Sequence, residues 1–269
     1  MTATSTQRRQ RGATLVELMV SIVVGLLVVL VASSLFVATK RTNRVQSDNA
    51  VLQETGRYVL GAIGRELRMA GFRDYATGVT FTTAAPPLSV TNGGGLNGSD
   101  QLIVRYYGSS AVGGGADSGV LDCVGNAVAA NVLSANRYFV AVDTGTGEPA
   151  LQCEASSAPG APVVLVNGVE SLQLLYGEDT DGDGAPNRYA AAGVVNPDRV
   201  VSAIVSAVIR SERLSDPLGG TTVFNHFGVA YAPGGVAPSG DAGAVFDPPD
   251  DQRPRRLFQF TVGLRNRIG

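Results

Sequence analysis

An uncharged apolar segment near the N-terminus restricts the possible folds of this chain more than any other feature. The 21 residues from Leu18 to Ala38 include no charged side chain. At 1.5 Å of rise per residue they form a helix of roughly 30 Å, about the thickness of a bilayer's hydrocarbon core. Three arginines lie between residues 8 and 11, Gly12 follows them, and Glu17 stands at the edge of the segment. The sequence therefore predicts a membrane-spanning helix behind a short basic leader.

The helical pattern continues past the apolar segment. No proline occurs between Ala13 and Ala85, and beyond residue 44 apolar side chains recur at helical spacing. These side chains are Val45, Leu52, Val59, Ile63, Leu67 and Ala70. Gly71 is a suitable residue to end the helix. Three glycines, Gly56, Gly61 and Gly64, each weaken an exposed helix by ~1 kcal/mol relative to alanine, or instead let it lie close against a sheet.

From residue 73 onward the pattern changes to alternating strands separated by glycine-rich turns. With 34 glycines, 13 prolines and few charges, this part suits a β-rich domain, and no helical pattern separates the strands as a parallel sheet would need. We therefore predict an α+β fold, in which the long helix packs on an antiparallel sheet. The predicted strands are Gln101–Tyr107, Val120–Cys123, Arg137–Val142, Pro162–Val166, Val169–Tyr176, Ala203–Arg210, Thr222–Tyr231 and Leu257–Leu264.

Composition argues against several classes of function. The chain has one lysine, Lys40, and one histidine, His226, so it offers no phosphate-loop lysine, and a Ser-His-Asp triad would have to use His226. The net charge is −2, and loss of the three leader arginines would bring it to about −5, which does not favour nucleic-acid binding. We therefore expect neither an enzyme nor a nucleic-acid partner.

The stretch Gly12-Ala13-Thr14-Leu15-Val16-Glu17 resembles the class III signal of type IV pilins and pseudopilins, although Ala13 stands where Phe or Met is usual. The resemblance implies that prepilin peptidase cleaves after Gly12, and that the new amino group of Ala13 is methylated. It also implies that Glu17 pairs with the N-terminal ammonium of a neighbouring subunit during assembly. Without the resemblance, Glu17 reads as an interfacial carboxylate, and a conventional signal cleavage at Ala32–Ser34 stays open.

Three further runs are similar to the PilW group of minor pilins. They are the segment 56–73, with its Arg-x-Leu-Arg-x-Ala-Gly-Phe run, and the segments Val166–Gln173 and Arg255–Arg267. The resemblance implies a leader at 1–12, a long helix at 13–72 whose membrane part is 13–39, and a periplasmic β-rich domain at 73–269. It implies a minor pilin anchored in the inner membrane that helps initiate pilus assembly near the tip. Its partners would be prepilin peptidase, other minor pilins, the major pilin and a tip adhesin.

Two alternatives to a minor pilin remain at this point. A pseudopilin of a type II secretion system would carry the same signal and helix. A membrane-anchored periplasmic binding protein would need only the apolar segment. The charges flanking that segment do not settle its orientation, because the leader arginines are balanced by Lys40, Arg41 and Arg44.

The two cysteines, Cys123 and Cys153, are expected to form a disulfide in an oxidising periplasm. The alternative is that both are buried free thiols. In the chain-entropy model, closing a loop of this length contributes ~3–4 kcal/mol.

An acidic loop is the other chemical cluster of the sequence. Asp179, Asp181 and Asp183, followed by Gly184 and Asn187, match the first half of an EF-hand-type calcium loop. Position 12 of the loop is Ala190, so the usual bidentate glutamate is missing. The alternative is a surface Asp-Gly turn. The loop therefore gives a possible Ca²⁺ site whose ligands would be Asp179, Asp181, Asp183 and Asn187.

Overall fold

The computed structural model describes residues 12, 14–111, 114–214 and 222–267. Ala13, on which the methylation prediction falls, lies outside the described residues, as do the leader arginines. Contacts divide the chain into two compact units, Met1–Ser47 and Asp48–Gly269. Residues 48–69 of the long helix are thus part of the same unit as the β-rich region.

One helix, α1, spans Leu15–Met69. At its start, the Thr14 hydroxyl oxygen accepts the backbone N–H of Glu17 at 3.3 Å, which satisfies one of the free donors of a helix N-terminus. At its end, Gly71 adopts the left-handed conformation with φ = +78°, and its N–H donates to the Arg105 carbonyl at 3.0 Å. The predicted stop at Gly71 is confirmed, because glycine adopts this conformation without steric cost.

The strands form two main antiparallel sheets rather than the single sheet that was predicted. The first sheet has the order β1-β2-β3-β4-β5 and the second has the order β11-β8-β6-β7, while β9 and β10 form a small separate pair. The strands are β1 Leu88–Thr91, β2 Gln101–Tyr107, β3 Leu133–Val142, β4 Pro149–Ala155, β5 Val163–Asn167, β6 Val169–Glu178, β7 Arg188–Ala190, β8 Val200–Arg210, β9 Phe224–Asn225, β10 Val245–Phe246 and β11 Arg255–Gly263.

Two helix glycines bring α1 close to strand β11. A Cβ atom added to Gly56 would lie 2.6 Å from the Phe258 ring, and one added to Gly64 would lie 2.8 Å from the Phe260 ring. These two glycines therefore allow close packing on the sheet, as the sequence suggested. Gly61 differs, because no atom lies within 4 Å of its added Cβ.

The core of the second unit lies between α1 and the sheets. The apolar face of the helix is fully buried there, and the long side chains of the two sheets meet it. The helix contributes Leu52, Val59, Ile63 and Leu67, all at 0% exposure.

An ion-pair network ties the β3–β4 turn to the second sheet. The buried Glu170 carboxylate accepts from Arg210 at 3.1 Å and from Arg255 at 2.6 Å. Arg210 also pairs with Glu148, which lies just before β4. The Arg253 guanidinium lies 3.2 Å from the same Glu148 carboxylate. Because each buried charge has partners, the network holds these elements in register without leaving an uncompensated charge.

Two strand predictions were wrong. Thr222–Tyr231 contains only the two-residue strand β9, because this segment packs across the sheet through side chains rather than joining it. His226 is buried there, with Nε2 3.0 Å from the Ser171 hydroxyl and Nδ1 3.0 Å from the Ser206 hydroxyl. Burial lowers the pKa of His226 to about 4, so this residue is a neutral packing side chain.

The prediction of a strand at Val120–Cys123 was also wrong. This segment forms a loop with a single bridge, Leu121 to Ala127. The Asp122 carboxylate accepts the N–H groups of Val124 and Asn126 at 3.0 and 2.8 Å. These side-chain bonds turn the backbone and compete with strand pairing.

Candidate functional site

The N-terminal part of α1 leaves more than half of each large apolar side chain exposed. Between Leu15 and Val37 the large apolar side chains are 53–73% exposed, and the most apolar window of this helix has no buried residue. By length and composition this helix can cross a membrane. Exposing so much apolar area to water is unfavourable, at about 25 cal/mol per Å². The segment therefore needs lipid or other helices around it.

Glu17 lies in the first turn of α1 and is exposed. Among the described residues its carboxylate forms no ion pair, although its backbone N–H is bonded to Thr14. Sequence reasoning missed this role of Thr14, and the signal was present, because Thr-x-x-Glu is a capping-box pattern. The Thr14-to-Glu17 spacing thus has a local structural reason. The predicted pairing of Glu17 with another subunit stays a prediction.

Basic residues follow the apolar segment on the same helix. Lys40, Arg41 and Arg44 are exposed, and the Lys40 ammonium lies 4.8 Å from the centre of the Phe36 ring. Such a cation–π contact lets the long lysine stem cover apolar surface while its charge stays in a polar environment. These residues therefore suit the polar boundary of a membrane-spanning segment.

Cys123 and Cys153 form a disulfide with a Cα–Cα distance of 6.3 Å, as predicted. The bond ties the loop that contains Asp122 to strand β4. On the loop side, the Asp122 carboxylate also accepts from the Ser157 hydroxyl. The disulfide is thus supported by polar contacts and fixes a long loop against the first sheet.

The acidic loop closes through its own hydrogen bonds. The two carboxylate oxygens of Asp179 accept the N–H groups of Gly182 and Gly184 at 2.6 and 2.8 Å, and these bonds lower the pKa of Asp179. The Asn187 amide oxygen accepts from the N–H of Thr180 at 2.6 Å, and its amide nitrogen donates to Asp181 at 3.0 Å.

The arrangement of the acidic loop has two consequences for a cation. Carboxylate oxygens of Asp179, Asp181 and Asp183 lie within 4.8 Å of one another, which suits a hard cation that prefers oxygen ligands. The carboxylates of Asp179 and Asp181 also accept the hydrogen bonds that close the loop, which is what a surface Asp-Gly turn without a cation would show. The donor set fits Ca²⁺, and calcium binding stays a prediction.

Two family models match segments of the chain that carry the sequence motifs. Residues 137–266 match a family model described as Type IV Pilus-assembly protein W, and residues 7–33 match the prokaryotic N-terminal methylation motif. No curated protein sequence matches the chain. A solved structure of a type IV-like pilin from Thermus thermophilus is 15% identical, with a TM-score of 0.45; the match covers 84% of this chain and 99% of that one.

The two family matches confirm the resemblance seen in the sequence. The first includes all four strands of the second sheet, and the second includes Gly12 and Glu17. Residues 137–266 are therefore similar to the PilW family, and residues 7–33 match the N-terminal methylation motif in front of an apolar helix long enough to span a membrane.

Proposed function

We propose that this chain is a minor pilin that joins a type IV pilus and helps to initiate its assembly near the tip. Prepilin peptidase removes residues 1–12 at the inner membrane, and the amino group of Ala13 is methylated. The β-rich domain lies in the periplasm before assembly. The role is structural rather than catalytic.

The observation that carries this proposal is the apolar surface of the first part of α1, together with the motif in front of it. Within the described part of the chain, the large apolar side chains from Leu15 to Val37 stay more than half exposed. In a membrane, lipid covers this surface; in a pilus, the helices of neighbouring subunits take the place of lipid. A helix of this kind can pass from one environment to the other without losing its apolar burial.

Glu17 has a specific part in this transfer. Each subunit that enters a bundle of apolar helices brings the positive amino group of Ala13 with it. An unpaired charge in such a place costs several kcal/mol, and a nearby carboxylate offsets much of that cost. Other minor pilins and the major pilin are the proposed partners in this pairing, and a tip adhesin is carried by the resulting complex.

The test is to replace Glu17 by alanine in cells that express the full chain. Cleavage should be normal, because the peptidase reads the leader and Gly12, while the protein accumulates in the inner membrane and surface pili decrease several-fold. Glu17→Gln should behave in the same way, since it retains the shape and loses the charge. Glu54→Ala, which removes an exposed carboxylate from the same helix, is the matched control. Unchanged piliation in the Glu17 variants would refute the pairing role.

A further inference from the structure

A cleft of about 430 Å³ lies between the last turns of α1 and the first sheet. Its volume is within the usual range of sites that hold small groups. Its lining lies within residues 48–269 and includes both aromatic and acidic side chains. The chemically important ones are Tyr58, Arg65 and Glu66 on the helix, Asp122 beside the disulfide, and Tyr106 and Tyr138 on the sheet.

Glu66 is held in place at this cleft by hydrogen bonds. The Asn136 amide donates to its carboxylate at 3.2 Å and to the Tyr106 hydroxyl oxygen at 2.6 Å. The Tyr138 hydroxyl also hydrogen-bonds to Glu66. These contacts fix the direction of the carboxylate and leave acceptor positions on it, since a carboxylate has about four.

The side chains that line the cleft carry more negative than positive charge. Neither Glu66 nor Asp122 forms an ion pair within the part of the chain that the structure describes, although Arg65 is the neighbour of Glu66 in sequence. Burial raises the pKa of Glu66; the hydrogen bonds from Asn136 and Tyr138 and the Arg65 charge partly offset this rise, and the Asp122 charge adds a little to it. Two carboxylates and one guanidinium therefore leave the cleft with a net negative charge, and a cation placed beside Glu66 would offset the cost of burying its carboxylate.

We propose that this cleft receives an arginine or lysine side chain of a neighbouring pilin subunit. A tyrosine ring attracts a cation to its face; of the three tyrosines that line the cleft, Tyr58 is exposed, whereas Tyr106 and Tyr138 are buried. Tyr58, 46% exposed, offers its ring to an incoming cation. The exposed Arg65 guanidinium repels such a cation, and the two carboxylates outweigh its single charge. This inference rests on the proposed function, because that function supplies the neighbouring subunit.

The first experiment tests the chemistry on the full chain in detergent. All eight tyrosines are replaced by 3-fluorotyrosine, the ¹⁹F resonances are assigned with single Tyr→Phe variants, and N-acetyl-arginine methylamide is titrated in. The resonances of Tyr58, Tyr106 and Tyr138 should shift with saturation. The neutral citrulline analogue should bind at least tenfold more weakly, and Glu66→Gln should weaken arginine binding tenfold, while Glu54→Gln leaves it unchanged. No saturable shift at these three tyrosines, or equal shifts with citrulline, would overturn the proposal.

The second experiment tests the source of the side chain. A photo-crosslinking amino acid at position 58 of the full chain should attach to another pilin subunit in piliated cells, at a peptide that contains arginine or lysine. The Glu66→Gln variant should reduce this product about tenfold. A product that does not depend on Glu66, or attachment to lipid alone, would overturn the assignment to a subunit. The titration needs no assembled pilus, so its failure is separable from failure of the proposed function.

Discussion

The two parts of helix α1 differ in how much of their apolar side chains the protein buries. From Leu15 to Val37 the large apolar residues are at least 53% exposed, whereas Leu52, Val59, Ile63 and Leu67 are fully buried. The first part is apolar on all sides, and the second is apolar only on the face that meets the sheets. The first part thus depends on lipid or on other chains, and the second on its own domain. One helix, α1, thus contains both an exposed apolar segment and a face that is buried in the core of a folded domain.

The largest effect should come from a cavity in the packed part. Leu67→Ala removes a fully buried side chain, so we expect a loss of about 2–5 kcal/mol in the free energy of unfolding. Leu27→Ala removes the same atoms from the exposed segment and should leave the unfolding of the β-rich domain unchanged. Thermal unfolding of the full chain in detergent, followed by circular dichroism, measures both. Equal losses in the two variants would show that the two parts do not differ in this way.

The glycines of the packed part give a finer test. In Gly56→Ala the new methyl group meets the Phe258 ring at 2.6 Å, so we expect about 1–3 kcal/mol of overpacking, reduced by a gain in helix propensity of ~1 kcal/mol. Gly61→Ala meets no atom within 4 Å and should stabilise by up to ~1 kcal/mol. Denaturant unfolding of both variants gives the sign of each change. A stabilising Gly56→Ala would contradict the close packing of helix and sheet.

The acidic loop should give the smallest effect, because it lies apart from the helix contacts. If the loop binds Ca²⁺, calcium at about ten times the dissociation constant should raise the stability of the full chain by on the order of 1 kcal/mol. The double variant Asp181→Ala with Asp183→Ala should lose this increase. Asp247→Ala with Asp250→Ala removes the same charge from exposed positions and should keep it. An unchanged melting temperature at millimolar calcium would show that the loop does not bind Ca²⁺.

The helix could be predicted because its pattern is local. An uncharged run, helical spacing and a terminal glycine are each visible in one stretch, and α1 ends at Met69, close to the predicted position. Strands with regular alternation, such as Gln101–Tyr107, were also predicted correctly. Strands β1, β4, β7 and β10 were missed. In β4 almost all residues are buried, so no alternation marks it, and unlike the equally buried β6 it has no run of large apolar residues.

The candidate site shows the same limit. Strand β6 is buried on both faces, and its polar Ser171 contacts His226, 55 residues away. The cleft near Glu66 depends on Asn136, which is 70 residues from it in sequence. Such contacts depend on sheet order, and the sequence pattern of each segment does not specify which strands become neighbours. The disulfide was predictable because the chain has only two cysteines.

The central claim is that the apolar part of α1 stays with the mature protein and begins at a processed amino group. Mass spectrometry of the N-terminal peptide, from the chain isolated out of membranes, tests this most directly. In Gly12→Val the leader should remain, whereas Gly25→Val, which alters a helix glycine with open space around it, should be processed normally. For the unaltered protein, the account predicts a chain that begins at N-methylated Ala13. A chain that retains residues 1–12, or one that begins near Ser34, would contradict it.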